Sequence, residues 1–365
     1  MLTEYFDSYA KAYKAYKSGS WCYEDGLLYR GLELLHQTTG QAIWLDHLKR
    51  MVDAQIVDGA SLAGYNPSEY NIDHIKSGVA LLYLHKQTGD ARYLQATAPL
   101  LQQLTHHPRT KSGVYWHKLA YPWQIWLDGL HMAAPFQIGL GKVTGNDDLV
   151  RDSLIQLDTA MDETFDPATG LYAHAYDEAR MQLWADKVTG HPRAYWARAM
   201  GWLAVCLVDV AELVTEEEFA PLRQRTIDLL NRIIELQQPD GLWLQVIDQP
   251  DLEGNYQEAS ASAMFIYALS VAGRIGLIEP RGRDDLDRLV RTKMHKRPDG
   301  QLEMIDICWV AGLGPFKNRY RDGSPEYYVS EELRPDDVKG VAPLMMCVAE
   351  AERQSPATSE LSAVG

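Results

Sequence analysis

The sequence predicts an all-α (α/α)6 barrel, six inner helices inside six outer ones, with short strands or hairpins in the connecting loops. Three observations predict it: helical segments of two kinds alternate, they make six pairs, and a Pro–Gly turn recurs at the same place between them. One kind of segment is amphipathic. Tyr93, Thr97, Leu100, Leu101 and Leu104 recur at helical spacing, as do Leu222, Leu229, Leu230, Ile233 and Ile234. The other is apolar nearly all round and rich in small residues, as in GVALLYL (78–84), GWLAVCLVDVAEL (201–213) and SASAMFIYALSVAG (260–273). A helix apolar on every face is buried on every face.

In chain order the predicted elements are outer 3–17, inner 25–38, outer 41–56, inner 72–88, outer 90–106 and inner 127–143. They continue with outer 146–164, inner 196–214, outer 216–237, inner 259–276, outer 283–296 and inner 338–352. After four outer helices comes HPRTKSGVYWH (107–117), DPATGLYAH (166–174), QPDGLWLQ (238–245) or RPDGQLEM (297–304). Counted from each Gly, the second residue is Tyr115, Tyr172, Trp243 or Leu302 and the fourth is His117, His174, Gln245 or Met304. Alternate residues of a strand share a face, so these read as strands on outer-to-inner connections. No linker divides residues 1–354, which read as one barrel domain, and 355–365 read as a frayed polar tail.

Composition narrows the function. Hydrophobic residues at 46% and charged residues at 23% suit a globular protein with a sizeable core. No apolar run approaches the ~18 residues of a membrane span, and the mixed-charge start does not read as a signal peptide. Cys22, Cys206, Cys308 and Cys347 are scattered, with no C-x-x-C pair, which predicts reduced thiols in a cytoplasmic protein. A net charge of −15 argues against nucleic acid, an anionic membrane or long-range capture of a polyanion. It leaves room for a small anionic fragment held by local cations, and for a homo-oligomer. The 20 Tyr and 10 Trp against 6 Phe favour flat faces with polar edges, which suit sugar rings.

All outer-to-inner connections lie at one end, so the inner-helix starts converge on one mouth. The segments that open the inner helices are polar and aromatic: WCYEDG (21–26), YNIDHI (70–75), WQIWLDGL (123–130), YWARAMGW (195–202), EASAS (258–262) and VKGVAP (338–343). Burying Asp73, Asp128 and Arg198 is costly unless they are paired or used. Asp25 reads equally well as a helix cap. Two carboxylates among aromatics suit glycosidic chemistry. Desolvation by Trp123 and Trp126, with the charge of Asp73, is expected to raise the pKa of Asp128, while Arg198 or a backbone amide keeps Asp73 ionised. No Walker loop, G-x-G-x-x-G, H-E-x-x-H or G-x-S-x-G occurs, and the pair His106–His107 reads as a surface turn, so neither metal nor organic cofactor is expected.

At these helix starts the chain resembles the unsaturated rhamnogalacturonyl hydrolases of glycoside hydrolase family 105, and more distantly the unsaturated glucuronyl hydrolases. The resemblance runs from DGL (25–27) to KGVAPLMM (339–346) and is carried by YNIDHI, WLDGLHMAAPF, YWARAMGW, EASASAMFIYAL and GSPEYYVSEELRPDDVKGVAP. It implies Asp128 as general acid/base and Asp73 as the second active-site Asp. It further implies that Trp126, Lys118, His174, Trp196, Arg198 and Trp202 line a sugar pocket. The implied substrate is a small lyase-generated oligosaccharide with a C4=C5 double bond in its terminal uronate. IKSG after YNIDH and VKGVAP at the last helix start, where Pro-Gly and His-Gly are usual, bear on subsite preference rather than on the reaction. A polysaccharide lyase, a sugar epimerase and an inactive carbohydrate-binding protein are the rival readings.

Overall fold

A computed structural model describes residues 2–281 and 283–354. The tail expected from 355 onwards lies outside the described residues. The helices are α1 (Leu2–Ala12), α2 (Tyr23–Thr39), α3 (Ala42–Asp53), α4 (Gly78–Thr88), α5 (Ala91–Gln95), α6 (Ala98–His106) and α7 (Leu127–Thr144). They continue with α8 (Asp147–Thr164), α9 (Ala197–Leu213), α10 (Glu216–Glu235), α11 (Ala259–Arg274), α12 (Asp284–Lys293), α13 (Pro325–Val329) and α14 (Val338–Gln354). The inner ring closes on itself: α2 packs on α4, α4 on α7, α7 on α9, α9 on α11, α11 on α14 and α14 back on α2. The architecture is the expected (α/α)6 barrel.

The small residues of the inner helices set how closely the ring packs. A Cβ on Gly31 of α2 would stand 2.9 Å from the Cβ of Met345 on α14. One on Gly201 of α9 would stand 2.9 Å from the sulfur of Met264 on α11. Larger residues there would force neighbouring inner helices apart, at the usual cost of overpacking a core.

Three expected helices are interrupted. The inner segment 72–88 opens with a 3-10 turn, Ile72–Ile75, before α4. Asn71 caps that turn by accepting from the Asp73 amide at 3.2 Å. The outer segment 90–106 is split into α5 and α6, with Pro99 in the first turn of α6, where its missing N–H costs nothing. The first outer helix, expected to reach 17, ends at Ala12, and Lys17 and Ser18 in the 3-10 turn that follows take left-handed φ values of 46° and 56°.

Among the described residues, five two-stranded sheets edge the mouth. They are β1 (Ile56–Val57) with β2 (Ser61–Leu62), β3 (Gln124–Trp126) with β6 (Ala175–Asp177), β4 (Phe165–Asp166) with β5 (Leu171–Tyr172), β7 (Met294–Lys296) with β8 (Leu302–Met304), and β9 (Gly314–Phe316) with β10 (Arg319–Arg321). The repeated Pro–Gly turns are real: Gly113, Gly170, Gly241 and Gly300 have φ of 98°, 71°, 92° and 85°. Only glycine takes such values without strain. The four cysteines are free and buried, and among the described residues no helix is long and apolar enough to cross a membrane.

Candidate active site

The hairpins and the inner-helix starts are tied by backbone hydrogen bonds in a repeating register. The Ile72 amide donates to the carbonyl of His117 at 3.2 Å, Leu127 to His174 at 3.0 Å and Ala197 to Gln245 at 3.0 Å. Each acceptor is the fourth residue after its turn glycine, and each donor immediately precedes Asp73, Asp128 or Arg198. Antiparallel pairing of β3 with β6, Trp126 opposite Ala175, reinforces the second tie. Two buried histidines are thereby delivered to two aspartates, Asp73 buried and Asp128 partly buried.

Asp73 sits on the 3-10 turn with its carboxylate 2.6 Å from Lys118 Nζ and 3.6 Å from His117 Nε2. Burial acts to raise its pKa, but Lys118 first and His117 next outweigh burial and hold it well below the usual carboxylate range. Asp73 is therefore an ion. The partner expected for it, Arg198, is engaged elsewhere. One guanidinium NH2 donates to Ser260 Oγ at 3.1 Å and to the Cys308 carbonyl at 2.5 Å, the other to the Trp309 carbonyl at 3.4 Å, and Glu258 lies 3.9 Å away. Arg198 thus ties α9 to the start of α11 and the 308–309 loop, and Lys118 takes the role foreseen for it.

Asp128, in the first turn of α7, has His174 Nε2 3.1 Å from its Oδ2, off the line of an ideal hydrogen bond. Its expected raised pKa is corrected. Burial and the charge of Asp73 do act upward, but His174 and, further off, His117 act downward and win, so the carboxyl is held below its ordinary value. Trp123, expected to desolvate it, is 41% exposed and packs edge-on against Trp116 at 4.7 Å. Trp123 also carries a positive φ of 65°, a strained value for an indole-bearing residue.

Trp126 lies beside both pairs. Its indole stacks on His117 at 4.7 Å and on Tyr121 at 4.9 Å, meets His174 edge-on at 5.1 Å, and donates to Gln124 Oε1 at 3.0 Å. Trp196 stands over the far side of His174 at 4.8 Å, with Arg198 4.6 Å above its ring. Trp202, deeper in α9, stacks on buried His131 at 5.0 Å. All three tryptophans are buried. Burial drives His117 down to about 4, so it is a neutral ring at neutral pH.

Other helix-start residues prove structural. Asp25 does not cap α2. It accepts from Tyr13 Oη at 2.8 Å, the Tyr16 amide at 2.9 Å and Gln55 Nε2 at 2.8 Å, anchoring the segment before the helix. Glu258 caps α11 through the Ala261 amide at 2.6 Å. His106 is exposed, but His107 is buried against the Trp116 carbonyl at 2.7 Å, correcting the surface-turn reading for that residue. Sequence reasoning passed over His117, although it shares its repeat position with His174. It also passed over Tyr328, whose hydroxyl meets His174 Nδ1 at 2.7 Å from the short helix α13, which has no periodic signature.

An (α/α)6 barrel whose mouth holds two aspartates among histidine, lysine and tryptophan has the form of a carbohydrate-cleaving enzyme. The chain belongs to glycosyl hydrolase family 88, whose profile matches residues 2–355. It is 32% identical over 265 residues to the unsaturated rhamnogalacturonyl hydrolase YesR of Bacillus subtilis, covering 70% of this chain and 72% of that one. It is 46% identical over 229 residues to the 24.9 kDa protein in the picA locus of Rhizobium radiobacter, covering 60% of this chain and 98% of the relative. Among solved structures, a family 105 glycoside hydrolase of C. acetobutylicum superposes with a TM-score of 0.86 at 35% identity, covering 91% of this chain and 94% of that one. The protein is a glycoside hydrolase.

Proposed function

We propose that this hydrolase releases the unsaturated uronate from the non-reducing end of lyase-generated oligosaccharides such as unsaturated galacturonyl-rhamnose. The observation that carries the reading is the pairing of one aspartate with a lysine and of the other with a histidine, in a barrel whose relative YesR bears that substrate class in its name. The double bond defines the chemistry. Asp128 gives a proton to C4, and positive charge spreads over C5 and the ring oxygen. Water adds at C5 with Asp128, now a carboxylate, taking its proton. The resulting hemiketal opens, the sugar rearranges and the aglycone leaves.

Each remaining side chain has a task in this scheme. Ionised Asp73 stabilises the cation through a fixed charge in a buried site. Lys118 spends one donor on Asp73 and keeps others for the uronate carboxylate. It suits that task better than Arg198, whose terminal nitrogens are already committed to carbonyls and Ser260. Trp126, Trp196 and Trp202 form the wall behind the sugar. In the free protein His174 keeps Asp128 ionised, so the proton must arrive with substrate. The incoming uronate carboxylate adds a like charge beside Asp128 and raises its pKa.

An ultraviolet assay on disaccharides from different lyases tests the reading. Hydration must make the absorbance of the unsaturated uronate fall. A rise on saturated polymer would mark a lyase, and no change across a broad panel would overturn the proposal.

A further inference from the structure

His174 is buried, and each of its ring nitrogens faces one group. Nε2 faces Asp128 Oδ2 at 3.1 Å and Nδ1 faces the Tyr328 hydroxyl at 2.7 Å. A neutral imidazole carries one proton, and the neighbour of the other nitrogen decides where it sits. A phenol can donate or accept, so the geometry of His174 alone leaves two tautomers open. The surroundings of Tyr328 decide between them. The residue is fully buried, and among the described residues its hydroxyl has no other hydrogen-bond partner. A buried O–H left without an acceptor costs roughly 1–3 kcal/mol, and the acceptor in reach is Nδ1.

We infer that Tyr328 is a positioning residue: its hydroxyl donates to Nδ1 of His174, which places the ring proton on Nε2, the nitrogen 3.1 Å from the Asp128 carboxylate. The inference deepens the proposed function, since it concerns how Asp128 is handled between its two proton transfers. After protonating C4, the new carboxylate faces a nitrogen that already carries its proton, so no tautomer change is needed. Burial raises the Tyr328 hydroxyl well above its ordinary pKa, which keeps it a neutral donor. The ring is held by stacking on Trp196 at 6.0 Å, and its carbonyl accepts from Gln245 Nε2 at 3.1 Å. Gln245 in turn accepts from Trp196 Nε1 at 3.1 Å, so hairpin, wall and tyrosine brace one another.

The other histidine of the same hairpin register makes the contrast. His117 stands 3.6 Å from Asp73, and its Nδ1 has no hydrogen-bond partner. Lys118 neutralises Asp73, so no tautomer need be enforced there. Among the described residues Asp128 forms no ion pair with a lysine or arginine, and the His174 ring is the group that faces it. The charged and titratable groups around this unit are Asp128 and His117 on the site side and Tyr327, Arg321 and Asp322 behind Tyr328.

The test uses the full chain labelled with 15N-histidine, with His174 assigned from the signal lost in His174→Gln. Wild-type protein should show a pyrrole-like Nε2 and a pyridine-like Nδ1 in two-bond 1H–15N correlations. Tyr328→Phe keeps the ring stacked on Trp196 but removes the donor, so the Nδ1–H form should appear. Asp128 would then face a lone pair. The alkaline limb of kcat, which reports groups in the substrate complex, should move up by about half to one pH unit, the worth of one hydrogen bond. A wild-type ring protonated on Nδ1 overturns the inference, whatever the enzyme hydrolyses. A Tyr328→Phe protein with lower kcat but an unmoved limb overturns it too, leaving Tyr328 as packing alone. Loss of all hydration activity in wild type would overturn the proposed function, and the tautomer would still be read from the spectra.

Discussion

Replacing Lys118 with methionine keeps the length of the side chain and deletes its charge. In the native protein the ammonium stands 2.6 Å from Asp73, whose side chain is 9% exposed, while that of Lys118 is 25% exposed. Breaking a buried pair by removing one partner costs about 3–5 kcal/mol. The partial exposure of Lys118 puts this case at the lower end, about 3 kcal/mol. Asp73 contributes stability above the ordinary carboxylate pKa, and that contribution fades as pH falls through its depressed native value. Without Lys118, burial acts with less opposition and Asp73 binds its proton at higher pH, so the variant is destabilised most near neutral pH, where Asp73 is an unpaired anion, and the gap to wild type narrows as pH falls into the mildly acidic range. In catalysis the neutral Asp73 no longer stabilises the cation, and kcat should fall by about 10²–10³ at that pH. Urea melts and pH–rate profiles measure both effects. The acidic limb of kcat should move upward, and raising the pH should restore part of kcat as Asp73 ionises again. A rise in KM from loss of the uronate contact should not recover with pH, which separates the two roles. If the limb stays put and the urea midpoint equals that of wild type, Asp73 is not held by Lys118 and the electrostatic account fails.

Asp128→Asn should lower kcat by about 10²–10⁴ with substrate binding and thermal stability retained; a folded variant with near-wild-type turnover would transfer the acid/base role elsewhere. Because the free protein keeps Asp128 ionised, binding of an unsaturated disaccharide near neutral pH should take up about one proton, read by calorimetry in buffers of different ionisation enthalpy; binding without proton uptake contradicts the proposed sequence of events. Burial drives His74, His107 and His117 down to about 4, so between that value and 6.5 the unfolded chain binds protons that the fold refuses. Stability should therefore fall as pH drops through this window, and His107→Gln should flatten the slope by about one proton, which urea titrations across pH 4–7 would detect.

The barrel was legible because inner and outer helices differ in a property that sequence displays directly. A helix buried on all sides lacks a polar face, and the inner segments at 127–143, 196–214 and 259–276 lie within about two residues of α7, α9 and α11. The failures are local. The stretch YNIDHI reads as helix, but Asn71 captures the Asp73 amide and winds a 3-10 turn instead. The short α13 and the β9–β10 hairpin are set by long-range packing, and no period announces them. At the site, both aspartates lie at the mouth as expected, but the partner of Asp73 was misassigned. Contact between Asp73 and Lys118 depends on an isolated bridge between Asn71 and Lys118, a tertiary pairing invisible along the chain. The pKa of Asp128 was misjudged for a related reason: burial is readable from aromatic neighbours, whereas the opposing His174 arrives from a hairpin 46 positions away.

The hairpin repeat nevertheless contains more of the site than its glycines suggest. The carbonyls of His117, His174 and Gln245 each accept from the first N–H of an inner-helix start, and the Asp306 carbonyl does the same for Ala259 at 3.0 Å. In every case the hairpin belongs to the next connection round the ring, so each turn sits over the helix before it. The residues following the four donors are Asp73, Asp128, Arg198 and Ser260, and the last two are themselves bonded at 3.1 Å. One backbone device, in the same register at three helix starts and two residues further along at the fourth, therefore brings each helix's first polar side chain beneath the following connection. What differs among the three that share the register is which side chains occupy those two places. Asp73 has His117 and a lysine beside it, Asp128 has a His174 held by Tyr328, and Arg198 forms a structural tie to Ser260 and the 308–309 loop. A duplicated scaffold thus gives equivalent positions unlike surroundings, because what reaches each helix start differs: Lys118 for Asp73, and His174 with Tyr328 behind it for Asp128.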